Sequence, residues 1–157
     1  MKALAALRTK KVLVSAGPWH SGNVTNSEFP LAHVSKLKLA KAWQWSVHVV
    51  ADDAQKYRLL VAFDAGKSQY WAWLGAIFGN DQAIIGRVEF HHSHDGWHCH
   101  WKTGQLVDVP RGAVKAGGSK ERRHPCNGAP PQVSRTDAFK LAYKLFNVST
   151  PPMEFGA

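Results

Sequence analysis

From Leu37 to Val49 the apolar side chains fall on odd positions: Leu37, Leu39, Trp43, Trp45, Val47 and Val49. Lys36, Lys38, Gln44, Ser46 and His48 occupy the even ones. A repeat of two is the pattern of an extended strand that buries one face. It recurs at Tyr57, Leu59, Val61 and Phe63 after the turn "ADDAQK". "DAGKS" and "GNDQ" mark two further turns around "QYWAWLGAIF", which is apolar on both faces and so reads as a central strand. The run "AIIGRVEFHHS" follows, and Asp95-Gly96 reverses the chain into "WHCHWKT". Short connections between successive strands favour antiparallel neighbours. The pattern therefore predicts an α+β fold: about five strands in an antiparallel meander, with a C-terminal helix packed on one face.

That helix is "DAFKLAYKLFN", with Thr136 as its cap and Phe139, Ala142 and Phe146 on one side. Residues 110–134 form a long basic loop rich in Gly and Pro without an apolar period, and residues 150–157 form a loose tail. The first thirty residues are mostly loop-like, with a short strand in "KKVLVSA". A length of 157 residues fits a single domain over 1–157 with a sizeable core.

Twenty Lys and Arg against eleven Asp and Glu give a formal charge of +9. A surplus of that size points to a polyanionic partner, here single-stranded DNA or RNA, and not to a membrane. No apolar run reaches membrane-spanning length, and Arg8, Lys10 and Lys11 interrupt the early apolar residues where a signal peptide needs an unbroken core. Two cysteines are too few for a disulfide framework, so the expected setting is cytoplasmic and reducing.

Five of the nine histidines lie within residues 88–101, "VEFHHSHDGWHCHW". Side chains alternate along a strand and cross-strand partners share a face. A two-residue turn at Asp95-Gly96 sets His91 opposite His100. A four-residue loop, Ser93 to Gly96, sets His91 opposite His98 and Glu89 opposite His100. Either way His91, His98 and His100 project together with Arg87, Glu89 and Lys102. Val88, Phe90, His92, Trp97, Cys99 and Trp101 project to the other side, and His94 marks the turn.

His91, His98, His100 and Glu89 are the candidate ligands of a divalent metal (Zn²⁺, Mn²⁺ or Mg²⁺), since imidazole and carboxylate donors with an open position suit such ions. The same residues with Lys102 are the candidate catalytic set, and Arg87, Arg111, Lys115, Lys120, Arg122 and Arg123 are the candidate nucleic-acid contacts. Together they predict a nucleic-acid-binding protein that cleaves phosphodiester bonds, a hydrolase of nuclease type. His98-Cys99-His100 resembles the His-hydrophobe-His element of the HUH single-strand nucleases. That resemblance implies a metal held on the strand and a tyrosine nucleophile on a helix, here Tyr143, with Lys140 and Asn147 near it.

Two alternatives compete. In the first, no metal is used: paired histidines act as acid and base, with Lys102 or Arg87 stabilising phosphorane charge, as in a small toxin-like RNase. In the second there is no catalysis. Trp43, Trp45, Trp71 and Trp73 would stack single-stranded bases, or His92, Cys99, His124 and Cys126 would hold a structural zinc. "DAGKS" lacks the glycine spacing of a phosphate-binding loop.

Overall fold

A computed structural model describes residues 1–32, 34–91, 96–112, 119–122 and 133–150, the stretch 119–122 by its backbone. The elements in chain order are α1 (Ala3–Arg8), β1 (Lys11–Ala16), β2 (His20–Ser21), β3 (Val24–Thr25), β4 (Lys36–Leu37), β5 (Gln44–Ala51), β6 (Lys56–Asp64), β7 (Gln69–Phe78), β8 (Asp81–His91), β9 (Gly96–Lys102), β10 (Ser119–Arg122), α2 (Arg135–Phe146) and β11 (Val148–Ser149). Eight strands run side by side in the order β10-β9-β8-β7-β6-β5-β1-β11, and β2 pairs with β5 off that path.

The expected α+β meander of five strands with a helix on one face is thus corrected. The chain is mostly β, an eight-stranded curled mixed sheet, or half-barrel. The added strands come from segments with little period. β10 lies within the stretch read as a loop, and β11 lies just before the stretch read as a tail. β1 pairs antiparallel with β5 and parallel with β11, which makes the sheet mixed. The expected strand over 37–49 is divided: β4 pairs with β3 in a separate hairpin, and β5 begins at Gln44.

Both faces of the central strands are buried, so alternation sorts residues between two cores. On one face α1 and α2 cover Tyr57, Leu59, Val61, Phe63, Tyr70, Leu74, Val88 and Cys99. On the other, the segment that carries β3 and β4 brings Val24, Phe29 and Leu31 over Trp45, Val47, Leu60, Trp73 and Ile84. Ser46 and His48, even positions of β5 expected to be wet, face the helix side together with Val50: Ser46 and Val50 are fully buried and His48 is 9% exposed.

The parity of β8 changes partway. Leu74 pairs with Gly86 but Gly75 pairs with Ile84, so Ile85 is an extra, bulged residue. Ile84 therefore joins the core beneath β3 and β4, while Val88 and Phe90 join the core beneath the helices. The single apolar face expected from Ile84, Val88 and Phe90 is corrected by this bulge. Gly86 is required beside it, because a Cβ there would lie 2.5 Å from Leu7 and 3.0 Å from Trp101.

The helix α2 starts two residues earlier than expected. Ser134, not Thr136, is the cap, and its hydroxyl accepts from the Asp137 amide at 3.1 Å. Asn147 ends the helix in a left-handed conformation with φ 57°, and its side-chain amide donates to the Arg8 carbonyl at 2.9 Å. The Tyr70 hydroxyl donates to the Ala138 carbonyl at 2.8 Å and ties α2 to the sheet.

Lys11 joins the two helices at their C-terminal ends. Its side chain is fully buried, and its ammonium donates to the carbonyls of Leu7 (3.3 Å), Thr9 (3.0 Å) and Phe146 (3.0 Å). These include orphan acceptors at helix ends, where a cation is favoured. Burial pushes the ammonium down to about 8, against the raising field of Asp52. An unfolded lysine keeps its proton to higher pH, so stability rises as pH climbs from about 8 toward 10. Beyond that, burial has raised the phenols of Tyr57 and Tyr143, so the folded chain holds protons that the unfolded chain releases, and stability falls. Urea unfolding across this range is expected to show a gain of about 1–3 kcal/mol between pH 7.5 and 10 in the native protein. Most of that gain is expected to disappear in Lys11→Met, the remainder coming from Lys102, whose ammonium burial also pushes down.

Candidate functional site

β8 ends at His91 and β9 begins at Gly96, so their register sets Glu89 opposite His98 and Arg87 opposite His100. This lies two residues beyond the pairing of the longer loop considered from sequence, and the parity is unchanged. Cys99, between the two histidines, is fully buried in the helix-side core. His98 and His100 therefore project to the opposite face, with Arg87, Glu89, His91 and Lys102.

Two rows cross the sheet on that face. One runs Trp45, Ala62, Trp71, Glu89, His98; the other runs Val47, Leu60, Trp73, Arg87, His100. Each passes from apolar core to charge at β8. Trp71 and Trp73 stack at 4.8 Å, Trp43 lies 4.9 Å from Trp71, and the Arg87 guanidinium stands 5.7 Å over Trp73. Trp43, Trp45 and Trp73 are buried and Trp71 is partly so. The expected exposed aromatic row for base stacking is not formed, because β3, β4 and their flanking residues cover it.

At the charged end, Glu89 is 7% exposed and sits 3.4 Å from the Arg87 guanidinium and 3.5 Å from His91 Nε2. Burial alone would raise its carboxyl. The hydrogen bond from His91 and the charges of Arg87, His91 and His100 outweigh it and hold the group below the usual carboxylate range. Lys102 is 5% exposed, and burial and then the Arg87 charge push its ammonium down. The ring centres of His91 and His98 are 5.6 Å apart. Two buried cations thus accompany one carboxylate and three imidazoles.

Among the described residues no three His, Cys, Asp or Glu side chains are grouped as a metal requires. Glu89 is engaged by Arg87 and His91. Tyr143 lies on α2 and packs against the helix-side core, with the sheet between it and His98 and His100. It cannot attack at that site, so the nucleophile role implied by the HUH resemblance is withdrawn.

Arg111 is also distant. Its guanidinium lies 3.5 Å over Phe78 and donates to the Val107 and Val109 carbonyls, at the other end of β8 from His91. That is roughly 30 Å away along the strand. In β10, Ser119 and Glu121 stand opposite Lys102 and His100, whereas Lys120 and Arg122 stand opposite Trp101 and Cys99. Lys115, Arg123, His92, His94, His124 and Cys126 lie outside the described residues. Sequence reasoning missed His48, which stood among residues expected to face solvent.

No family model, curated protein or solved structure matches the chain. No described helix is long and apolar enough to cross a membrane.

Removing one partner of a buried ion pair leaves the other charge uncompensated. Glu89→Leu is expected to cost about 3–5 kcal/mol in urea unfolding, and the double variant Arg87→Met/Glu89→Leu to recover most of that loss.

Proposed function

We propose that this chain binds single-stranded nucleic acid and cleaves its phosphodiester bonds by general acid–base catalysis on the β8–β9 face. The observation that carries the reading is the buried Glu89 contacting His91, with His98 close by and Arg87 and Lys102 adding positive charge. A carboxylate that accepts from Nε2 of His91 orients the ring and leaves Nδ1 to take a proton. His91 is thus the base: it takes the proton of the attacking oxygen, the ribose 2′-hydroxyl in RNA or a water in DNA, as that oxygen bonds to phosphorus and the bond to the leaving oxygen breaks. His98, protonated, is the acid that supplies a proton to the leaving oxygen. Arg87 and Lys102 hold the phosphate and stabilise the charge that grows on its oxygens, and His100 completes the polar row. The formal charge of +9 supports the polyanionic substrate through attraction that weakens with salt.

The test is digestion of labelled single-stranded DNA and RNA in EDTA, with binding measured on the same proteins. Cleavage is expected to survive EDTA and to fall by about 10²–10⁴-fold in His91→Ala and in His98→Ala, with binding kept within a few-fold. Cleavage abolished by EDTA would favour a Zn²⁺, Mn²⁺ or Mg²⁺ mechanism instead. Binding without cleavage by the native protein would favour a non-catalytic module.

A further inference from the structure

The helix side of the sheet carries a second polar arrangement, which the acid–base site does not use. His48 projects from β5 toward α2 and its imidazole lies flat on the Phe139 ring, with centres 3.4 Å apart and planes at 3°. Its Nδ1 is 2.6 Å from the Tyr143 hydroxyl. Burying an imidazole here carries a desolvation cost that an apolar residue would avoid. Burial pushes His48 down to about 4 and Tyr143 up to about 12, so both stay neutral across the ordinary range of pH.

Beside the pair lies an open groove of about 600 Å³ between α2 and β11. Phe139, Tyr143 and Val148 form its apolar part, and Lys140, Lys144 and Ser149 add charge and a hydroxyl. Lys140 has Asp137 at 3.7 Å, while Lys144 has no acidic partner among the described residues. One neutral histidine tautomer carries its proton on Nδ1 and donates it to the Tyr143 oxygen. The phenol proton is then available to a third group, and the groove is the open space that this side chain lines.

We infer that this groove is a separate binding site for a phosphate-bearing nucleotide. The Tyr143 hydroxyl donates to the phosphate, Lys140 and Lys144 pair with its charge, and the base rests against the partly exposed Tyr143 and Val148, beside the Phe139 ring that His48 covers. His48 is a positioning residue: it fixes the phenol and directs its proton outward. The site does not depend on His91 or His98, which lie across the sheet.

The experiment follows the His48 ring signals by NMR in the full chain during titration with adenosine 5′-monophosphate, inorganic phosphate and adenosine. The monophosphate is expected to shift these signals saturably and to bind more tightly than inorganic phosphate, with adenosine weakest. Tyr143→Phe, which removes only the hydroxyl, is expected to weaken the monophosphate by roughly three- to tenfold. The Lys140→Gln/Lys144→Gln pair, both surface changes, is expected to weaken it further, and His98→Ala to leave it unchanged. No saturable shift, or native affinity in Tyr143→Phe with unaltered thermal unfolding, would overturn the site. Equal affinity for monophosphate and inorganic phosphate would overturn the base contact.

Discussion

A sheet covered on both faces leaves no side free for careless alternation, and that constraint organises this molecule. Most apolar residues of β5 to β8 belong either to the helix-side core or to the core under β3 and β4. A slip of one residue would exchange the two sets. With the register fixed by Val88 and Cys99 on one side and Trp71 and Trp73 on the other, Arg87, Glu89, His98 and His100 have only one direction left. The charged cluster is thus a consequence of core packing in the neighbouring strands. It forms at β8 and β9, where the tryptophan rows give way to charge.

Closing the sheet brings distant segments together in the same way. Lys11 reaches the end of α1 and the end of α2 through three carbonyl hydrogen bonds, while β11 pairs with β1 beside it. The C-terminal ends of α1 and α2 meet around one buried ammonium. Because α2 is held there and by Tyr70, Tyr143 lies over His48 and away from the histidines of β9. The sheet separates two chemistries: a charged, imidazole-rich face, and a neutral His–Tyr pair in a groove edged with lysine.

The grouping of His91, His98 and His100 with Arg87, Glu89 and Lys102 was legible because alternation is local and survives any even change in loop length. The separation of Tyr143 from that group was not, since nothing in α2's own sequence says which face of the sheet it covers. Ile84 escaped because a bulge at Ile85 changes parity without a sequence signal beyond Gly75 and Gly86. β10 and β11 escaped as sheet members because short edge strands take their shape from the partner they pair with, whereas β1 was legible as a short strand but not in its place between β5 and β11. His48 was hidden by the same alternation that revealed the others: a polar residue between apolar ones reads as wet, although here α2 covers it.

The face assignment itself is open to direct measurement through cross-strand proton contacts between β8 and β9 in NMR spectra of the native protein. The account predicts backbone contacts that pair Glu89 with His98 and Arg87 with His100. Contacts displaced by one residue, with His98 opposite Val88 or Phe90, would turn the histidines toward α2 and contradict it.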